Sequence, residues 1–153
     1  MMDFEAHPWK TLCLVAIGVA VVAYAAIGVY TVEGTSMIPN ISPGDRVVIY
    51  RWGKIRKGDV VILTLPDTKS FAIKRVVGTA GDTISHSKGF IHIAEQSLPL
   101  RSEAHPAIAT AGVVPVKSYF VAGDLLYESI DSRDYGFISR DSIRGRVLDF
   151  RRR

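Results

Sequence analysis

The pattern of hydrophobic and polar positions divides the chain into one long apolar run and a longer part with short alternating runs. Residues 11–30 contain no charged side chain. A helix rises about 1.5 Å per residue, so such a run spans roughly 30 Å, the thickness of a bilayer core. The pattern therefore predicts a short cytoplasmic N-terminus over residues 1–10, a transmembrane helix over 11–30 and an exported domain over 31–153.

The charges beside the apolar run indicate its orientation. Lys10 precedes the run and Glu33 follows it, which favours a cytoplasmic N-terminus in the inner or plasma membrane. The alternative is a secretory signal that is cleaved, since Ala23-Tyr24-Ala25 resembles a small-x-small cleavage site. The run is long for a signal core and continues for several residues beyond that site, so we favour a retained single-pass anchor.

Beyond the apolar run, the pattern is typical of short β-strands separated by turns. Predicted strands, rich in β-branched and aromatic residues, cover 46–50, 59–65, 70–77, 90–93, 113–121 and 144–150. Turn residues such as Pro43-Gly44-Asp45 separate them. No segment here shows a sustained helical period, and residues 97–112 are predicted as a surface loop. The exported part is therefore expected to be mainly β, with a curled antiparallel sheet or partial barrel.

Charge and rare residues narrow the possible partners. Residues 34–153 carry 18 basic and 12 acidic side chains, a net charge of +6, which suits acidic lipid or nucleic acid. The anchor favours membrane lipid, and the basic positions lack the interleaved aromatics of a nucleic-acid-binding surface. The one cysteine, Cys13, excludes an intramolecular disulfide. The four histidines lack ligand spacing, so we assign no metal and no cofactor.

Two residues far apart in the sequence are candidates for nucleophilic chemistry. Ser36 follows the apolar run and leads into turn residues. It is either a nucleophile near the membrane surface or part of a polar juxtamembrane turn. Lys74 shares a predicted strand face with Ala72 and Val76. Burial there would lower its pKa, and a neutral lysine near Ser36 could accept the hydroxyl proton. The alternative is a lysine that extends to solvent from a sheet edge.

Five segments resemble, in order, the successive motifs of type I signal peptidases. They are Gly34-Thr35-Ser36-Met37-Ile38-Pro39 with Pro43-Gly44-Asp45, Lys57-Gly58-Asp59-Val60-Val61, Ile73-Lys74-Arg75-Val76-Val77-Gly78, Gly81-Asp82, and Gly123-Asp124 with Ser129-Ile130-Asp131-Ser132-Arg133. The match covers nearly all of residues 32–147. Self-cleaving repressor proteases resemble the serine and lysine motifs alone, but they lack the anchor and the last motif.

The resemblance implies a membrane-anchored serine endopeptidase that removes signal peptides from exported precursors after small residues. Ser36 would be the nucleophile and Lys74 the general base. The supporting residues implied are Ser129 to orient the amine, Arg75 paired with Asp124, and Asp131 with Arg133 to brace the Ser129 loop. Residues near Val32, Met37 and Ile73 would form the substrate pockets.

The chain departs from the family pattern at three positions. Gly34 lacks the hydroxyl that some members place there, which leaves the oxyanion hole to backbone groups. Asn40 replaces a frequent threonine and Leu125 a frequent asparagine. Two other functions remain open: a conjugal-transfer peptidase that matures a pilin precursor, and a catalytically inactive, membrane-tethered binding module.

Overall fold

The N-terminal apolar run forms a helix that leads directly into a β-strand. The computed structural model describes residues 8–66, 68, 70–100 and 103–151. Helix α1 covers Pro8–Ala26 and strand β1 covers Ile27–Thr31. At 19 residues, α1 is about 28 Å long. It is the one helix, within the described residues, that is long and apolar enough to cross a membrane by length and composition.

The end of α1 differs from the helix predicted over residues 11–30. Ile27–Thr31 pairs in antiparallel register with residues 46–50, so that Val29 lies opposite Val48. The Arg51 N–H donates to the Ala26 carbonyl at 2.9 Å, where the helix ends. β-branched and aromatic residues favour strands, and a partner strand is available for them. Hydrophobicity alone could not locate this change, because both elements are apolar.

The remaining strands form one large sheet and one small sheet. Their bounds are β2 Arg46–Tyr50, β3 Val60–Thr64, β4 Phe71–Thr79, β5 Ile84–Ser87, β6 Phe90–Ile93, β7 Gln96–Pro99, β8 Ser118–Ala122, β9 Ile138–Ser139 and β10 Ile143–Arg151. The large sheet has the order β1-β2-β10-β3-β4-β8-β9, and the small sheet has the order β5-β6-β7. All these neighbours are antiparallel.

The large sheet curls until its first strand approaches its fifth. The rings of Tyr30 on β1 and Phe71 on β4 meet edge to face with centroids 5.6 Å apart, although three strands separate them in the sheet. Buried side chains fill the inside of the curl: Val32, Met37, Ile41, Val47, Ile49, Ile62 and Ile73. The predicted fold class is therefore confirmed: the chain is mainly β, with a curled antiparallel half-barrel behind one apolar helix.

Strand β4 is only partly covered on one side. On one edge of β4, residues 71–75 pair with residues 60–64 of β3. On the other edge, β8 pairs with β4 only from Arg75 to Thr79. The first four residues of β4 therefore leave one backbone edge without a pairing strand among the described residues. This open edge faces the curl toward β1 and forms one wall of the groove described below.

Short helical turns occupy parts of the chain without strong periodicity. They are α2 at Pro106–Ala109, α3 at Ser132–Tyr135 and a 3-10 turn at Arg140–Ser142. The predicted loop over 97–112 contains the end of β7 as well as α2. The strand predicted over 113–121 begins only at Ser118. A second core between the two sheets contains Phe120 with Ile91 and Ile93.

Candidate active site

Ser36 and Lys74 lie in direct contact, although 38 residues separate them in the sequence. Lys74 Nζ donates to Ser36 Oγ at 2.7 Å. Ser36 is half-buried in the turn that follows β1, and Lys74 is 5 % exposed on β4. A nucleophilic hydroxyl within hydrogen-bond distance of a buried amine is the geometry of a serine–lysine pair.

The surroundings of Lys74 disfavour its charged form. Burial lowers the pKa of the Lys74 ammonium below its ordinary value, and the negative charge of Asp131 opposes that shift. The positive charge of Arg133 acts in the same direction as burial. A lysine with a lowered pKa has a larger neutral fraction near physiological pH, and only the neutral amine can accept a proton.

The turn that carries Ser36 is held by the core beneath Met37 and by a hydrogen bond from the segment around Leu125. The neighbouring Met37 is fully buried in the core, and its carbonyl accepts from the Ile41 N–H at 2.9 Å. The Ser36 carbonyl accepts from the Leu125 N–H, also at 2.9 Å. These contacts hold the backbone of Ser36 while its hydroxyl accepts the hydrogen bond from Lys74 Nζ.

Gly123 lies at the point where the Ser36 turn meets the loop that carries Ser129. A Cβ at this position would lie 2.6 Å from the Ser36 carbonyl oxygen and would collide with the Ser129 side chain. Ser129 is fully buried. The close approach of these three residues therefore requires glycine at position 123.

Arg75 and Asp124 form a bidentate ion pair beside the turn that carries Ser36. Arg75 Nε and Nη2 donate to the two Asp124 carboxylate oxygens, each at 2.7 Å. The hydrogen bond with Asp124 raises the pKa of Arg75. Asn40 Nδ2 also donates to Asp124 Oδ2, at 2.8 Å. The sequence analysis gave Asn40 no role, and no sequence pattern links it to a residue 84 positions away.

Asp131 and Arg133 form a second ion pair, inside the loop that carries Ser129. Arg133 Nε and Nη2 donate to the carboxylate at 2.8 Å each. Both side chains are buried, and Arg133 also donates to the carbonyls of Pro99 and Leu126. Asp131 accepts from the Gly123 N–H at 3.2 Å and caps α3. The pair thus ties the loop to the Gly123 segment.

A groove of about 500 Å³ runs from Ser36 and Lys74 toward the start of β4. Its walls are residues 30–34 and 70–74, and Ile62 contributes to the lining between them. Val32 and Ile73, two of the residues predicted to form substrate pockets, line it. Met37, the third, is fully buried and is not among the lining residues.

The sequence analysis did not predict the other lining residues, among them Tyr30, Glu33 and Phe71. Tyr30 had been assigned to the membrane helix. The two-residue alternation around Val32 and Ile73 was the available indication, because it places neighbours of a pocket residue at its rim.

A protein-family model described as signal peptidase, peptidase S26, matches residues 7–150. The chain belongs to this signal peptidase family. This match confirms the resemblance to signal peptidases that the five motifs indicated.

Individual signal peptidases resemble the chain over most of its length. Signal peptidase I of Bacillus licheniformis is 30% identical over 155 residues, which covers 90% of this chain and 83% of that protein. Signal peptidase IB of Staphylococcus aureus is 28% identical, with 88% and 85% covered. The crystal structure of a signal peptidase I from Enterococcus faecalis V583 matches with a TM-score of 0.50 and 25% identity, over 63% of this chain and 98% of that one.

Proposed function

We propose that the chain is a membrane-anchored serine endopeptidase that removes signal peptides from exported precursor proteins. The observation that carries this proposal is the 2.7 Å contact between Ser36 Oγ and the buried Lys74 Nζ, at one end of an open groove. Its substrate class comes from the signal peptidases that the chain resembles.

Catalysis would begin when Lys74 is neutral. The Ser36 hydroxyl then donates its hydrogen bond to Nζ, and Nζ takes the proton as Ser36 Oγ attacks the carbonyl carbon of the scissile peptide bond. Lys74 returns the proton to the leaving amine as that bond breaks. Water then attacks the acyl-enzyme ester and loses its proton to Lys74. Lys74 returns that proton to Ser36 Oγ as the bond between Oγ and the acyl group breaks and the carboxyl product leaves.

The oxyanion that forms in each step needs hydrogen-bond donors. The Ser36 N–H makes no hydrogen bond to another residue that the structure describes, so it would be available as one donor. Gly34, two residues earlier, carries no hydroxyl. A backbone donor is therefore the proposal for this chain.

The supporting residues would hold these groups in place. Arg75, which follows the base, is tied through Asp124 to Asn40 in the nucleophile turn. Ser129 would orient the Lys74 amine, and the Asp131–Arg133 pair would fix the Ser129 loop. Such fixing counts in catalysis because a displacement of about 1 Å can lower a rate by about 10²-fold.

The substrate would bind as an extended strand between the groove walls. The open backbone edge of Phe71 to Lys74 can pair with it, as in other cases of strand addition to a sheet. Val32 and Ile73 would leave room for small side chains before the scissile bond.

Anchoring would bring the enzyme to its substrates. Leu14, Ile17 and Val21 on α1 are each about 60–70 % exposed, and the other large apolar residues along the helix are 55–87 % exposed. An apolar helix that does not pack on its own domain fits a bilayer environment. Confinement of enzyme and precursor to one membrane raises their effective concentration.

The test is replacement of Ser36 by alanine in the purified, detergent-solubilised full chain. Ser36→Ala should abolish cleavage of a precursor with a signal peptide, read by mass spectrometry of the products. Ser42→Ala is the matched control, because Ser42 is exposed and its side chain makes no contact with the site. Thermal unfolding of both variants checks that the fold is retained.

Full activity in Ser36→Ala would overturn the assignment of the nucleophile. A wild-type protein that binds precursors without cleaving them would instead favour the inactive binding module.

A further inference from the structure

Among the described residues that line the groove, one is acidic. Glu33 lies on the wall that continues β1, between Val32 and Gly34, and its side chain is exposed at the rim. Within the described lining, Lys74 is the one basic side chain, and the proposed reaction requires it to be neutral. An anionic rim beside an otherwise apolar and hydroxyl-bearing groove distinguishes substrates by charge.

The Glu33 carboxylate is available to a ligand. Within residues 8–66, 68, 70–100 and 103–151, no hydrogen bond or ion pair engages it, unlike Asp124 and Asp131. The nearest groups on the same wall are Thr31, Val32 and Gly34, none of which carries charge. On the opposite wall, Ser70, Phe71, Ala72 and Ile73 are also uncharged.

The two walls run in the same direction, so the two ends of the groove are each marked by a contact between them. Tyr30 contacts Phe71 at one end of the groove, and Ser36 contacts Lys74 at the other. In the proposed function, Val32 and Ile73 in the groove lining receive the small side chains before the scissile bond. With that bond at the Ser36 end, the residues before it extend back along Glu33. That direction leads toward β1 and the end of α1, where a membrane-embedded part of the precursor would lie.

Strand alternation then selects the positions. Val32 points into the core while Thr31 and Glu33 are exposed. In a substrate strand beside this wall, successive side chains likewise point inward and outward. If the residue immediately before the scissile bond points inward, the second and fourth residues before it point outward, to the side of Glu33.

We infer that Glu33 selects precursors with lysine or arginine at the second or fourth position before the cleaved bond. This rests on the proposed signal-peptide cleavage and names the substrate class more narrowly. The attraction acts between partly solvated groups, so its size is that of an exposed ion pair, about two- to fivefold in an equilibrium constant.

The experiment compares peptides that carry lysine, serine or glutamate at these two positions, with the purified full chain in detergent. At low ionic strength, the wild type should cleave the lysine peptide with a kcat/KM about three- to tenfold above the glutamate peptide at one or both positions. The ratio should fall toward one at about 1 M salt, where the screening length is about 3 Å.

Substitutions identify the carboxylate responsible. Glu33→Gln should bring the lysine-to-glutamate ratio close to one, and Glu33→Lys should reverse it. The matched control is Glu95→Lys, which makes the same change of charge in the exposed turn between β6 and β7 and should keep the wild-type ratio. The salt dependence of the wild-type ratio provides a test that needs no variant to fold.

The outcomes separate this inference from the proposed function. If the wild type cleaves the lysine, serine and glutamate peptides equally well, Glu33 does not have the inferred role. The same holds if the preference for lysine persists in Glu33→Lys. Neither result contradicts the proposed peptidase activity. Failure of the wild type to cleave any of the peptides overturns both.

Discussion

Lys74 shows how the position of a side chain on a strand changes its pKa. On an exposed edge it would be an ordinary charged residue, but β4 places it in the interior with 5 % of its surface exposed. Because burial lowers its pKa, the unfolded chain binds more protons than the folded chain between the lowered and the ordinary value. Stability should therefore rise with pH through that interval.

The pH dependence of activity is the prediction at the residue scale. Since only neutral Lys74 can accept the proton, kcat/KM should increase with pH along a limb whose midpoint lies below about 10.4, the ordinary lysine value. Lys74→Ala should lower kcat by about 10²–10⁴-fold. Lys74→Arg should not restore it, because a guanidinium remains charged. The measurement is a pH–rate profile with a peptide substrate.

Lys54→Arg is the matched control, since Lys54 is an exposed lysine in another loop and should give the wild-type profile. A limb centred on the ordinary lysine value, or an active Lys74→Arg enzyme, would show that Lys74 is not the base.

Individual side chains could be placed from the sequence in regular strands but not in irregular turns. The alternation in β4 was sufficient to place Lys74 beside Ala72 and Val76, because a strand has a fixed period of two. Met37 lies in an irregular turn, which has no such period. Its burial beneath Ser36 depends on contacts with Val47 and Ile62 on other strands, so its separation from the groove surface could not be predicted.

At the scale of elements, the site is the meeting point of three segments: the turn after β1, strand β4 and the loop after β8. They carry Ser36, Lys74 and Ser129, and hydrogen bonds to neighbouring segments hold the backbone of the turn and of the loop. The Leu125 N–H holds the Ser36 carbonyl, and Asp131 holds the Gly123 N–H. The geometry of Ser36 and Lys74 therefore depends on the packing between segments as well as on the two residues.

Gly123→Ala tests this dependence. The added methyl would overlap Ser129 and the Ser36 carbonyl oxygen, so the turn and the loop must move apart. We expect kcat/KM to fall by about 10- to 100-fold, since a shift of about 1 Å in a reacting group has an effect of that order. The measurement is peptide cleavage together with thermal unfolding, because a loss of activity should exceed any loss of folded protein.

Gly112→Ala supplies the matched control. Gly112 is exposed, and a Cβ there would have open space around it, so this variant should keep its activity. Equal rates for the two variants would contradict the proposed packing requirement at Gly123.

Strands were predictable where their own residues favour them. Runs such as 46–50 and 90–93 were placed with their observed bounds because β-branched and aromatic residues dominate them. β5 and β7 were missed because they contain serine, histidine and glutamine. Cross-strand bonds hold them instead: His92 on β6 is hydrogen-bonded to Ser87 and Ser97 at 2.8 Å each. Hydrogen bonds between side chains on neighbouring strands cannot be predicted until the pairing of the strands is known.

At the scale of the whole molecule, the groove is oriented by the way α1 enters the sheet. The helix ends at Ala26, and β1 leads within a few residues to the groove wall and then to Ser36. In the proposed membrane arrangement, the distance between the bilayer surface and Ser36 is set by β1 and the short segment that connects it to Ser36. This arrangement suits a substrate whose apolar segment lies in the same membrane.

Cys13 allows a direct test of this membrane arrangement. It is the only cysteine in the sequence and lies on the exposed surface of α1. If α1 spans the bilayer, a membrane-impermeant maleimide should fail to label Cys13 in native membranes and should label it after denaturation in detergent. Two variants in a Cys13→Ser background then report the orientation, with one new cysteine on each side.

Trp9→Cys, in the first turn of α1, leaves Lys10 in place. It should be labelled only after spheroplasts are permeabilised, because the cytoplasmic side is closed to the reagent. Glu95→Cys, in the exposed turn between β6 and β7, should be labelled in intact spheroplasts. The physical reason is the placement of Lys10 before the apolar run, since positive charge is retained on the cytoplasmic side. Protection of Glu95→Cys in intact spheroplasts would reverse the orientation, and would place the groove on the side of the membrane where exported precursors have not yet arrived. Labelling of Cys13 in sealed native membranes would show that α1 does not span the bilayer.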